Sequence, residues 1–398
     1  MKKEWLKKMA IGLGICLTLG AGAGSVSAAV EAAGTQQEFE IPDTESFQFV
    51  RDMKIGWNLG NTFDASDCSW LKNDLDYESG WCGVKTTPEL TASIKEAGFN
   101  TIRMPVSWHN HLSDEANYTV NEAWMNRVQE VVDYCMDQDL YVILNIHHDN
   151  SKDYMYPDQA HMEQSMKYVT SIWTQVAERF ADYDEKLLFE SLNEPRLVGH
   201  TNEWWINPSN PDCKESILCI NELNQAFVDL VRASGGNNAS RYLVIPGYDA
   251  SPDGATNANY VFPTDIPEND HRIIQSIHAY TPYPFALEMP GVDSWKSSNL
   301  KDYKDMTTFM DKIYKTFVAN EIPVIIDEFG AMEKNGNLEA RVDFAGTYIS
   351  EAKQRGITCV WWDNNVSSGN GERFGLIDRK TLTWEFPEIV DAMMEAAE

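Results

Sequence analysis

Two glutamates stand where chemistry is easy to place. Glu194 lies between Asn193 and Pro195 at the end of one short apolar run, and Glu328 closes another, PVIIDEF at 323–329. Two carboxylic groups facing each other across a cleft suit glycoside hydrolysis, one as acid and one as nucleophile or base. A lone glutamate after a strand is more often a salt-bridged rim residue, so the neighbours decide. Asn193 can hydrogen-bond a sugar hydroxyl beside the reacting carbon. Arg103 and Tyr280 can both donate to Glu328 and keep it ionised, as a nucleophile requires. Glu194 must then hold a proton near neutral pH, which needs burial or the field of the other carboxylate.

Other chemistries fit less well. The run His147-His148-Asp149 invites a metal. Adjacent strand residues point to opposite faces, so both histidines are not expected on one ion, and no third ligand sits at a familiar spacing. A hydrogen-bonding role for at least one of them is the better expectation. The sequence holds no G-x-S-x-G elbow and no glycine-rich dinucleotide or phosphate loop. Neither a metal nor a cofactor is expected.

These residues need elements to hold them. Short β-rich runs recur at 54–60, 101–106, 140–146, 187–192, 241–247, 272–277, 323–329 and 357–362, with helix-period segments between them. Val169, Ile172, Trp173, Val176 and Phe180 share one helical face. So do Leu223, Phe227 and Leu230, and Met306, Phe309, Met310, Ile313 and Phe317. Eight strand–helix repeats predict an α/β chain folded as a single (β/α)8 barrel with extended loops at its C-terminal face. The segment after 247 is the weakest repeat. In such a barrel the C-terminal strand ends line the active site. They carry Asn58 and Asn61, Arg103, His147 to Asp149, Asn193 and Glu194, His278 and Tyr280, Glu328, and Trp361 to Asn364, while the strand bodies are taken as apolar. Thirteen tryptophans are many. Trp124 and Trp173 fall on helical apolar faces. Trp57, Trp70, Trp81, Trp108, Trp204, Trp205, Trp361 and Trp362 lie near the rim, where aromatic rings would stack on pyranose faces.

Composition narrows the partners. Acidic residues number 61 against 32 basic ones, for a formal charge of −29. Such a chain repels phosphate backbones, so nucleic acid is excluded as a partner. Four lysines, the apolar run 9–20 and the small-residue stretch ending at Ala28 have the three-part plan of a secretory signal peptide. The expected organisation is a signal peptide over 1–28, a leader over 29–45 and the catalytic barrel over 46–398. The mature chain is expected to be secreted, free of the membrane and monomeric. Export permits disulfides: local spacing suggests Cys68–Cys82 and, with less support, Cys213–Cys219, with Cys219 on a helix face as the alternative. Cys135 and Cys359 fit buried thiols.

The motifs GWNLGNTFDA (56–65), IRMPVSW (102–108), NIHHD (145–149), LNEPR (192–196), HAYTPY (278–283), IIDEFG (325–330) and WWDN (361–364) occur in this order at strand ends. Together they resemble glycoside hydrolase family 5, most of all its subfamily 4 of endoglucanases and xyloglucanases, over about 46–398. The resemblance implies a retaining (β/α)8 enzyme without a catalytic metal. It assigns the acid/base to Glu194 and the nucleophile to Glu328, with support from Arg103, His147, Asn193, His278, Tyr280 and Trp362. His148 and Asn61 complete the expected substrate-binding set. The implied activity is an endo-β-1,4-glucanase acting on cellulose or related β-glucan poly- or oligosaccharides. Xyloglucan, mixed-linkage glucan and mannan remain open on the same scaffold. So does a catalytically dead glycan-binding barrel, and a metal-dependent hydrolase is a further outsider.

Overall fold

Eight runs of β-branched and apolar residues form the strands β1 Ile55–Asn58, β2 Thr101–Met104, β3 Tyr141–Asn145, β4 Leu187–Glu190, β5 Leu243–Pro246, β6 Ile273–His278, β7 Val324–Phe329 and β8 Ile357–Trp361. The computed structural model describes residues 38–398 apart from Asp270. The strands are parallel, pair in sequence order and close into a barrel where β8 meets β1, with Ile55 beside Cys359. All strand residues are buried, so strict polar–apolar alternation is absent. The (β/α)8 barrel predicted from the repeats is therefore the observed fold.

The helices that follow the strands are α1 Pro88–Glu96, α2 Glu122–Asp137, α3 Met162–Arg179, α4 Pro211–Ala233, α5 Pro252–Ala255, α6 Leu300–Thr316, α7 Leu338–Gln354 and α8 Pro387–Ala397. Asparagine caps start three of them: Asn121, Asn210 and Asn299 each accept from a backbone N–H in the first turn, freeing the helix end from an orphan donor. The predicted face of α3 is buried, with Trp173 under β4 and its indole N–H on the Ser191 carbonyl at 2.9 Å. The weak repeat after 247 has a physical form: α5 is a single turn.

Inside the barrel the period-2 alternation produces layers. Ile143, Leu188, Val244, Ile274, Ile325 and Val360 form an apolar layer, plugged from below by Phe49, whose ring stacks on Tyr242 at 3.7 Å. Two residues further along the same strands come Asn145, Glu190, Ser276 and Asp327, all fully buried, with Asn58 and Arg103 beside them. The expectation of apolar strand bodies is thus wrong in the upper layer. That layer is polar because it is the floor of the rim cluster described below.

Several local expectations change. The expected signal peptide lies outside the described residues. Phe39, placed in the leader by composition, packs at 4.8 Å from Tyr314 and beneath the Arg355 guanidinium. Cys213 and Cys219 both sit on α4, where six residues rise about 9 Å along the axis. That separation exceeds the span of a disulfide, and both thiols are free and buried. Cys68 and Cys82 are free as well: the Cys82 thiol lies against the carbonyls of Glu78 and Val84, at 3.4 and 3.1 Å. Cys135 and Cys359 are buried thiols, as expected. Trp57, Trp108 and Trp361 are core residues rather than rim platforms, whereas Trp70, Trp81, Trp204 and Trp205 are exposed.

Candidate active site

Arg103 organises the floor of the barrel mouth. It is the penultimate residue of β2, points inward and is wholly buried. Its Nε and Nη2 donate to the two oxygens of Glu190, at 2.7 and 2.8 Å, a bidentate fork. Nη1 donates to Glu328 Oε1 at 2.7 Å and to Asn58 Oδ1 at 3.0 Å, and Nη2 to Asn193 Oδ1 at 2.8 Å. Four strands are joined through one guanidinium. Lysine has no planar fork with which to do this.

The two catalytic candidates meet above that floor. Tyr280 donates to Glu328 Oε2 at 2.8 Å, so both oxygens of Glu328 accept from a fixed donor. Glu194 Oε1 receives His278 Nδ1 at 2.8 Å, and Arg196 Nη1 approaches Oε2 at 3.4 Å. One oxygen each of Glu194 and Glu328 lie within 4.8 Å of one another. The protonation expectation needs correcting. Burial raises the Glu194 pKa, but the hydrogen bond and charge of His278, with Arg196 and His148, outweigh it and bring it down to about 2. Burial lowers that of His278, but Glu328, Glu194 and Asp327 outweigh it and raise it to about 9. The proton that Glu194 was expected to carry rests on His278, and the two groups titrate as a pair.

His147 and His148 end β3 beyond its last paired residue, so strand alternation does not govern them. Their rings lie 4.4 Å apart, and one ligand atom each of Asp64, His147 and His148 lie within 4.8 Å of one another. Both imidazoles therefore reach one site, contrary to the expectation of opposite faces. Tautomer chemistry argues against a metal instead. Asn145 Oδ1 accepts from Val106 N–H at 3.1 Å, which turns its Nδ2 donor toward His147 Nδ1, also at 3.1 Å. Nδ1 must accept, so Nε2 carries the hydrogen and is a donor rather than a ligand. Burial, then His148 and Arg103, push the His147 pKa well below its ordinary value and keep the ring neutral. Asp64 accepts the backbone N–H groups of Asn61 and Thr62, and burial raises it to about 6.

Trp362 lies parallel to the His147 ring, tilted by 1° with centroids 5.9 Å apart. Gly60 allows this: a Cβ there would stand 2.8 Å from the Trp362 ring and 2.7 Å from the Asp363 carbonyl. Of the expected residues, Arg103, Asn193, Glu194, His278, Tyr280 and Glu328 form one hydrogen-bonded cluster, and His147 joins it through Asn145 and Glu190. His148 is exposed beside them. Asn61 reaches the cluster region only through its backbone bond to Asp64. Exposed rings flank the group: Trp81 lies 5.7 Å from His148, Trp204 covers the Arg196 guanidinium at 3.9 Å, and Trp205 lies 6.0 Å from Tyr283.

Sequence reasoning missed Glu190, Asp327, Arg196 and Asp64. The first two lie two residues after Leu188 and Ile325, a register that identifies them only once the inward face is known. Arg196 and Asp64 sat inside quoted motifs without a role.

Comparison with known proteins agrees with this geometry. The model of the cellulase family, glycosyl hydrolase family 5, matches residues 61–368. Cellulase/esterase CelE of Acetivibrio thermocellus is 42% identical over 356 residues, 89% of this chain; the chain spans 41% of that relative's length. A family 5 lichenase from Caldicellulosiruptor sp. F32 superposes with a TM-score of 0.89 at 53% identity, covering 91% of this chain and 97% of the other. A broad-specificity endoglucanase of subfamily 4 from Ruminococcus champanellensis, solved with bound cellotriose, superposes with a TM-score of 0.81 at 45% identity, covering 89% and 99%.

Proposed function

This chain belongs to the cellulase family, glycosyl hydrolase family 5, and from that premise we propose that it cleaves internal β-1,4 bonds of β-glucans with retention of configuration. The observation that carries the reading is the approach of Glu194 and Glu328 to within 4.8 Å. Retaining enzymes hold their carboxyl groups about 5–5.5 Å apart, and inverting ones about 6.5–9.5 Å to admit a water. In the first step Glu328 attacks the anomeric carbon while the glycosidic bond breaks, and the leaving oxygen takes the proton of the Glu194–His278 pair. Arg103 and Tyr280 aim the Glu328 carboxylate. In the second step Glu194 takes a proton from water, the water oxygen bonds to the anomeric carbon, and the glycosyl–Glu328 ester breaks. Asn193 and the neutral His147 N–H offer polar contacts to sugar hydroxyls, and Trp362 an apolar face.

Exposed rings of Trp81, Trp204 and Trp205 around the catalytic pair suit a chain bound along its length, which favours endo action. Likeness to the lichenase and to the cellotriose-bound endoglucanase supports mixed-linkage and β-1,4 glucans as the first candidates, ahead of mannan. The amino-terminal pattern supports export of the mature enzyme. Proton NMR of cello-oligosaccharide cleavage tests the mechanism: the β-anomer appears first, and an initial α-anomer refutes retention. Glu328→Ala abolishes turnover, and azide restores it on an activated glycoside with inverted configuration.

A further inference from the structure

Beneath the catalytic pair lies a carboxylate that the mechanism above does not use. Asp327 precedes Glu328 on β7, is fully buried and points into the barrel's polar layer. Its Oδ1 accepts from Ser276 Oγ at 2.8 Å and lies 3.5 Å from His278 Nε2. Its Oδ2 has no hydrogen-bond partner, although Arg103 Nε stands 3.9 Å away. A buried carboxylate oxygen left bare costs free energy unless it offsets a charge nearby. The charges beside this carboxylate are Arg103 at Oδ2 and His278 at Oδ1.

His278 Nε2 sits between two opposed neighbours. Arg103 Nη2 is 3.4 Å away and as a donor favours a bare Nε2. Asp327 Oδ1, at 3.5 Å, favours a protonated one. Nδ1 is committed to Glu194 Oε1 on the other side of the ring. The contest at Nε2 therefore decides whether the ring is an imidazole or an imidazolium. That in turn decides where the proton of the Glu194–His278 pair resides.

We propose that Asp327 is a positioning residue for proton delivery: acting on His278 Nε2, it sets how firmly the Glu194–His278 pair holds the proton passed to the leaving oxygen. The inference rests on the acid/base role of Glu194 proposed above. The chain is carboxylate, imidazole, carboxylate, with the reacting sugar at the far end.

Other charged and titratable groups face the pair. Arg103 from β2, Glu190 from β4 and Glu328 from β7 surround the floor, and Tyr280 follows β6. On the open side Arg196, Asp249, His148 and Glu372 act on Glu194, with Glu203 paired to Arg196. Burial, then Glu190, raises Asp327 to about 7 against the pull of His278, Arg103 and Ser276. Asp327 is thus ionised chiefly above neutral pH, where the pair must still keep its proton.

The test is the pH profile of kcat/KM on a neutral β-glucan. In Asp327→Asn the shape is kept and the negative charge is lost, so His278 gives up its proton earlier. The basic limb moves to lower pH by about one unit, the low end of what an opposite charge within 4–6 Å does to a pKa. The acidic limb stays in place. Ser276→Ala, which removes the donor that favours ionised Asp327, moves the basic limb the same way by less, and serves if the first variant does not fold. A lower kcat with an unmoved basic limb in both variants, or a limb moved to higher pH, overturns the proposal. Glu194→Gln on an aryl glycoside with a good leaving group separates the two readings. If that variant keeps the wild-type basic limb, the assignment of Glu194 as acid fails rather than the role of Asp327.

Discussion

Arg103 shows what single residues contribute here. Its guanidinium satisfies Glu190 on one side and Glu328 and Asn193 on the other, and is wholly buried. Removing one partner of a buried pair leaves an uncompensated charge, which costs about 3–5 kcal/mol. Arg103→Met is therefore expected to lose about that much in urea unfolding, and Arg103→Met/Glu190→Leu to regain most of it without regaining activity. Arg103→Lys keeps the charge but not the fork, and kcat falls about 100-fold, the upper range for groups that orient reacting residues. Equal stability of Arg103→Met and the double variant would show that Glu190 is not the group left stranded. Six cluster residues were legible in the sequence because each lies near or just beyond the C-terminal end of an apolar run. Glu190 and Asp327 were not, because a run of buried residues does not say which of its two faces looks into a barrel. The proton on His278 was not legible either, since it depends on three carboxylates, two from β7 and one from the loop after β4.

At the scale of elements, α3 is tied to the end of β3 through one carboxylate. Tyr168, wholly buried on α3, donates to Asp149 Oδ1 at 2.6 Å, and that oxygen also accepts the backbone N–H of Trp108 at 2.8 Å and of His109 at 2.7 Å. Burial raises the Asp149 pKa, but His109 and Tyr168 outweigh it and leave it below the ordinary value. A carboxylate so depressed contributes stability above its unfolded pKa of about 3.9 and loses it as pH falls through the folded value. Tyr168→Phe removes a hydrogen bond to a charged group, worth about 1.5–3 kcal/mol. The loss should be full at pH 6 and shrink below about pH 4, where the wild type also loses the ionised acceptor. A deficit constant from pH 6 to pH 3 would mean that the hydroxyl serves packing alone. The helix itself was legible from Val169, Ile172, Trp173 and Val176, whose 3.6-residue spacing survives folding. The thiol pairing in the rim loops was not, because closeness in sequence says nothing about direction: Cys213 and Cys219 lie on one helix, and Cys82 turns toward two carbonyls.

The whole molecule carries 61 acidic and 32 basic residues, a formal charge of −29. The mouth is rich in carboxyl groups: Glu194, Glu328 and Glu203 stand there with Arg196, Arg103 and His278 as their partners, and burial raises the pKa of Glu372 and Asp249 beside them. A neutral β-glucan feels none of this at a distance, whereas carboxymethyl cellulose is a polyanion. Exposed charges interact over about 30 Å at 0.01 M salt and about 8 Å at 0.15 M. At low salt the field repels the anionic polymer before it reaches the cleft, which lowers the association part of kcat/KM. Raising sodium chloride from 0.01 to 0.3 M should therefore increase kcat/KM on carboxymethyl cellulose several-fold. The same change should leave kcat/KM on a neutral mixed-linkage glucan within about twofold, because only the long-range term is screened. The ratio of the two substrates is the quantity to follow, since it cancels any effect of salt on the enzyme itself. A ratio that does not change with salt would show that the approach of the polymer is governed by the uncharged aromatic rim, with the net charge of the molecule serving solubility alone.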